Sequence, residues 1–279
     1  MPRQFNPATT RQYLERFMLA SLNDTAREVP QFRGHVAHMQ LSDVINAWLV
    51  GLAHEVRGPL GRLIQWFEHA DAADEQFGDA PHFDSALRND SWGLSLWMVN
   101  GGTSMQSHRK AVEHWEQHFA CEGTKAQRGP PKFDYEKQRF EDPFIRGLPF
   151  EPKDILHGSL DDYLASCVQC GEFARGAELY EKVGGRTDIA DSRIQTPIHL
   201  GYWLCKQGRA GGIETDACMK IGGRVLRSNL QTNWLGVGQQ VRAATWLKIV
   251  GEFAGWNLGP KEVLLRAYEF MPEVTRPAM

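Results

Sequence analysis

Three observations predict an all-α protein of two packed helical subdomains. Apolar residues recur at three- and four-residue steps over most of the 279 positions, strand-like alternation is largely missing, and one Pro/Gly-rich stretch interrupts the pattern. The expected division is an N-terminal helical subdomain over 1–122, a connector over 123–155 and a C-terminal helical subdomain over 156–279. The second subdomain is expected to contain a tetratricopeptide-like helical hairpin. A chain of this length is near the size at which one core begins to split.

The first element follows from Leu41, Val44, Ile45, Trp48, Leu49, Leu52, Val56, Leu60, Leu63, Ile64 and Phe67, with Ser42 as a possible N-cap. Gly58-Pro59 is expected to kink or interrupt it, because proline removes a backbone donor and restricts its predecessor. Gly78, Asp79 and Pro81 read as a loop. A second helix is expected over 83–99, ended by Gly101-Gly102, and a third from about 104 to 121. Gly129-Pro130-Pro131, Pro143, Gly147-Leu148-Pro149 and Pro152 leave room in the connector for at most a short helix around 134–141. The segment 163–182 reads as the hairpin, with Gly171 at its turn. Helices are expected at about 196–207, 214–227, 236–254 and 260–270, with Pro260 in the first turn of the last. Trp92, Trp97, Trp203, Trp234, Trp246 and Trp256 are suited to filling the seams between helices.

Composition narrows the function classes. With 42% hydrophobic and 23% charged residues the chain reads as an ordinary folded protein, and its net charge of −3 argues against general nucleic-acid binding. No secretory leader pattern is visible and no run of about 18 apolar residues occurs, so cytoplasmic residence without a membrane span is expected. Five cysteines in a chain this long point to reduced thiols rather than a disulfide scaffold.

Candidate chemistry is sparse, and neither an enzymatic activity nor a cofactor is expected. Cys167-Val168-Gln169-Cys170 has metal or redox spacing, but no second pair supplies the remaining ligands, and core packing is the plainer reading. His114 and His118 share a helix face with Cys121 a turn later; that spacing could bind a divalent metal, and an ordinary amphipathic helix is the plainer reading. No metal site is therefore assigned. Asp161-Asp162 is read as the start of a helix, where its charge suits the helix dipole. The Gly-Gly-Arg and Gly-x-Gly fragments lack the context of a phosphate loop.

The heptapeptide His54-Glu55-Val56-Arg57-Gly58-Pro59-Leu60 resembles the phospho-acceptor box of sensor histidine kinases. The resemblance implies an exposed imidazole nucleophile at His54, an adjacent acid and a helix kinked by proline. No nucleotide-binding motif accompanies it. This leaves a histidine phosphotransferase acting downstream of a separate kinase as an alternative, beside a non-catalytic helical adaptor.

Charge is uneven. Glu68, Asp71, Asp74, Glu75, Asp79, Asp84 and Asp90 face Arg88 alone between positions 68 and 90. The segment reads either as a solvated face or as an acidic surface for a basic partner. The 163–182 hairpin together with Leu200-Gly201-Tyr202-Trp203 resembles helical immunity proteins of bacterial toxin systems, especially those that neutralise PoNe-type DNase effectors of interbacterial, type VI-secreted competition. That resemblance implies one-to-one binding of a cognate toxin, with its active site or substrate groove occluded. A nuclease presents a basic groove, which makes the acidic segment the candidate contact surface.

Overall fold

The computed structural model describes residues 33–49, 57–77, 82–102, 104–126, 133–134, 139–140, 152–182, 186–233 and 239–270. The helices are α1 (Arg33–Leu49), α2 (Arg57–Phe77), α3 (His82–Asn100), α4 (Met105–Ala126), α5 (Pro152–Cys170) and α6 (Phe173–Lys182), followed by α7 (Pro197–Arg209), α8 (Thr215–Asn233), α9 (Gln239–Phe253), α10 (Pro260–Leu265) and α11 (Ala267–Phe270). A 3-10 turn at Asp191–Arg193 precedes α7. The fold is all-α. Around 134–141, where the sequence leaves room for at most a short helix, the described residues form an antiparallel contact of two residues on each side, β1 (Phe133–Asp134) and β2 (Arg139–Phe140). Helix also claims both ends of the expected connector, since α4 runs on to Ala126 and α5 already begins at Pro152.

Helix ends follow local chemistry. Gly101 adopts φ 68°, a conformation costly for residues with a Cβ, and its N–H donates to Trp97 O at 2.8 Å, closing α3. Gly171 does the same between α5 and α6, with φ 75°, while Glu172 N–H reaches back to Cys167 O at 2.9 Å. Thr196 caps α7 by accepting from His199 N–H, with proline next in line where a missing donor costs nothing. Gly58-Pro59 sits in the first turn of α2, where proline is tolerated for the same reason.

The centre of the molecule is α3. It packs against α1, α2, α4 and α10, so it is buried nearly all round. Its small polar residues are satisfied along the helix: Ser95 Oγ donates to Ser91 O at 2.7 Å and Asn89 Nδ2 to Ser85 O at 2.9 Å. From there the chain builds outward. α4 packs on α5, α5 and α6 pack on α7, and α8 packs on α9, which returns to lie on α1 and α5. One continuous hydrophobic cluster results, joining Leu41, Phe67, Leu94 and Trp115 to Leu164, Leu204, Val225 and Leu247. Trp97, Trp203 and Trp246 are buried in it, Trp92 and Trp256 pack against its edge, and Trp234 lies outside the described residues. Among the described residues no helix is long and apolar enough to cross a membrane.

Candidate functional site

A polar network runs through the interior where α3, α4, α5 and α9 meet. The mostly enclosed Asp90 carboxylate is its hub. Oδ1 accepts from Ser166 Oγ of α5 at 2.6 Å and faces His108 Nδ1 of α4 at 3.3 Å, while Oδ2 accepts from Trp115 Nε1 at 3.0 Å. Burial pushes the Asp90 pKa up, partly offset by these donors, and burial pushes the His108 pKa down. Beyond His108 lies Lys248 of α9, which is 1% exposed. Its Nζ donates to Gln169 Oε1 at 2.6 Å, pairs with Glu252 at 3.5 Å and sits 6.0 Å from the Trp97 ring centre. Burial holds its pKa below the ordinary lysine value.

Serine, histidine and aspartate therefore meet, but not in the order that makes a nucleophile. A catalytic relay needs the hydroxyl bonded to imidazole. Here Ser166 bonds the carboxylate, and His108 Nε2 is buried without a hydrogen-bond partner. That nitrogen lies where a Cβ on Gly93 would come within 2.6 Å, so the imidazole fills the space left by the glycine. The arrangement joins helices; it does not activate the serine. A cleft of about 330 Å³ opens next to it between the end of α3, α9 and α10, lined by Trp97, Lys248, Glu252, Trp256, Asn257 and Leu258.

The acidic segment is divided by the fold. Glu68 is exposed on α2. Asp71 is buried, accepting from Arg88 at 3.3 Å and from Lys110 at 2.6 Å. Asp84 is buried with Oδ2 accepting the Gly34 N–H at 2.7 Å, at a crossing so close that a Cβ on Gly34 would strike Asp84 O. Asp90 is the hub just described. Asp71 and Asp84 are buried and Asp90 is mostly enclosed, so these three accept from interior donors where charge density alone suggests an acidic face. Asp74, Glu75 and Asp79 lie outside the residues whose side chains are described, as does His54.

The remaining motifs resolve in the same way. Cys167, Cys170 and Cys205 are buried free thiols; burial raises the pKa of each, that of Cys170 to about 11, which suppresses thiolate chemistry. Among the described residues no group of three or more His, Cys, Asp or Glu side chains is placed to hold a metal. Asp161 and Asp162 are not at a helix start, since α5 begins at Pro152. Instead they clamp α9: Arg242 makes paired bonds of 2.9 and 2.7 Å to Asp162, and Asp161 accepts from Trp246 Nε1 at 2.8 Å. His114 meets His82 across the α3–α4 contact, with Nδ1 atoms 3.3 Å apart. Sequence reasoning missed His108, Lys248 and His82, because each acquires its partner from another helix.

Leu200-Gly201-Tyr202-Trp203 packs onto the hairpin. A Cβ on Gly201 would come within 2.8 Å of Leu164 Cβ, so glycine sets how closely α7 approaches α5. Tyr202 stacks on Tyr180 at 4.2 Å and 17°, and its hydroxyl donates to Glu181 Oε1 at 3.0 Å. No family model, curated protein or solved structure gives a significant match to this chain.

Proposed function

We propose that this chain is a cytoplasmic immunity protein that binds a cognate bacterial toxin of the nuclease class and occludes its active site or substrate groove. The observation that carries the reading is the interlocking of the two segments on which the resemblance to immunity proteins rests. The hairpin and the Gly-Tyr-Trp element form one unit through the Gly201–Leu164 approach and the Tyr180–Tyr202 stack. The titratable groups of the interior network support it as well: they are spent on joining helices, so the function falls to the surface. The proposed contact surface starts from Glu68, exposed on α2, and takes in the acidic residues Asp74, Glu75 and Asp79 that follow it in the sequence.

The test is neutralisation. A tagged chain is purified from its native producer and the protein that co-purifies in equal amount is identified. That protein, expressed alone in a heterologous host, is expected to stop growth, and co-expression of this chain is expected to restore it. A co-purifying protein that is harmless, or whose toxicity persists, would refute the reading. Reversing Glu68, Asp74, Glu75 and Asp79 together is expected to weaken binding more than tenfold, mainly through the association rate at low salt. Unchanged affinity would remove the segment from the interface.

A further inference from the structure

We propose that the cleft between the end of α3, α9 and α10 binds a small organic cation, an ammonium or guanidinium group carried on a short alkyl chain. Its volume of about 330 Å³ suits a small molecule, since such sites run from roughly 300 to 1,000 Å³. Two helices end at it. Gly101 closes α3 with φ 68° and Gly255 closes α9 with φ 66°, and both glycines line the cleft. The C-terminus of a helix carries roughly half a negative elementary charge on its last carbonyls, which favours a cation. Two such ends converge here, from helices of 19 and 15 residues.

The side chains add to that sign. Lys248 and Glu252 stand one turn apart on α9 and both line the cleft, but they are not equally open. The Lys248 side chain is fully enclosed and its Nζ donates to Gln169 Oε1 at 2.6 Å, whereas the Glu252 side chain is 36% exposed. A ligand entering from solvent therefore meets the carboxylate first. The start of α10 would bring the opposite polarity, but it carries its own carboxylate: Glu262 Oε2 lies 2.6 Å from where a Cβ on Gly259 would stand. Trp97, Trp256, Leu258 and Val263 supply an apolar wall for an alkyl stem. The Arg266 guanidinium lies 4.6 Å from the Trp256 ring centre, so this indole already takes one cation, and Glu269 at 3.6 Å offsets the charge of that arginine.

The experiment is a nuclear magnetic resonance titration of the full chain, read at the indole N–H signals, with that of Trp256 identified by its loss in Trp256→Phe. Butylammonium, butylguanidinium, butanol and butyrate are added separately at neutral pH. A saturable shift of the Trp256 signal is expected with the two cations, at an affinity at least tenfold above that of butanol or butyrate. Raising the salt from about 50 mM to about 500 mM is expected to weaken the cations several-fold and to leave butanol unchanged. Glu252→Gln is expected to weaken the cations at least tenfold without altering butanol. Should that variant fail to fold, the ranking of the four probes and their salt dependence decide the question on the unaltered protein. Equal affinity for butanol and the cations would reduce the cleft to an apolar pocket, tighter binding of butyrate would mean that Lys248 sets its sign, and no saturable shift would mean no site. Each of these results, or undiminished cation binding in a folded Glu252→Gln, would overturn the proposal. None of them depends on the toxin.

Discussion

At the residue scale, one acidic segment contains carboxylates doing opposite jobs, and stability measurements separate them. Asp71 meets Arg88, which is 1% exposed, and Lys110, so removing it strips a buried cation of a partner. D71A is expected to cost about 3–5 kcal/mol in urea unfolding, while the exposed E68A stays within about 0.5 kcal/mol. Similar losses for the two variants would contradict the burial described above. Asp161 gives a pH signature. Burial raises its pKa to about 7 although Arg242 pulls it down, against an unfolded value of about 3.9. The folded state thus binds this proton more tightly than the unfolded chain, and its contribution to stability falls as pH rises from about 4 through about 7. The substitution Asp161→Asn removes that titration, and the amide oxygen still accepts from Trp246. The melting temperature of D161N relative to the unaltered protein is expected to be higher at pH 8 than at pH 5, and equal offsets at the two pH values would refute the assignment.

At the element scale, the sequence announces helix ends better than it announces helix environments. Gly101, Gly171 and Pro260 mark boundaries because backbone conformation at a glycine or proline is a local property. Gly58-Pro59 shows the limit: the same dipeptide fits a kink or a first turn, and only the start of α2 at Arg57 decides between them. The division of the acidic segment into buried and exposed carboxylates is hidden for a different reason. Charge density along the chain carries no information on which helices surround α3, and encirclement by α1, α2, α4 and α10 buries Asp84 and largely encloses Asp90. The His82–His114 contact is equally silent in sequence, since its members belong to different helices. Glycines sort by the same criterion. Gly201 faces Leu164 and Trp246 at crossing distance, whereas nothing lies within 4 Å of a Cβ on Gly61. G201A is expected to destabilise by about 1–3 kcal/mol through overpacking, and G61A to stabilise by about 0.5–1 kcal/mol through helix propensity. Urea midpoints moving in the same direction would show that the spacing of α7 on α5 is not set by Gly201.

At the scale of the whole molecule, length and connector favour separate units while the contacts favour one. A chain of 279 residues with a Pro/Gly-rich middle is a good candidate for two independent unfolding transitions. Yet its two ends share polar and apolar interiors. Ser166 donates to Asp90, Arg175 pairs with Glu116 at 2.6 Å, Lys248 lies by Trp97, and α9 packs on α1. Separating residues 1–122 from 156–279 would part Phe119 from Tyr163, whose rings meet edge-on at 5.7 Å, and strip the Asp90 carboxylate of its Ser166 donor, a loss no isolated half can replace. Thermal unfolding followed by tryptophan fluorescence and by far-ultraviolet circular dichroism is therefore expected to give one coincident transition, and the fragment 156–279 alone is expected to show no cooperative melt. Two resolved transitions, or a fragment that melts cooperatively, would mean that the apolar surface within each half outweighs the seam between them. Coincidence would instead make any partner docking on α2 and the Asp90 hub parts of one cooperative unit, so that binding at the surface raises the stability of the whole chain by mass action.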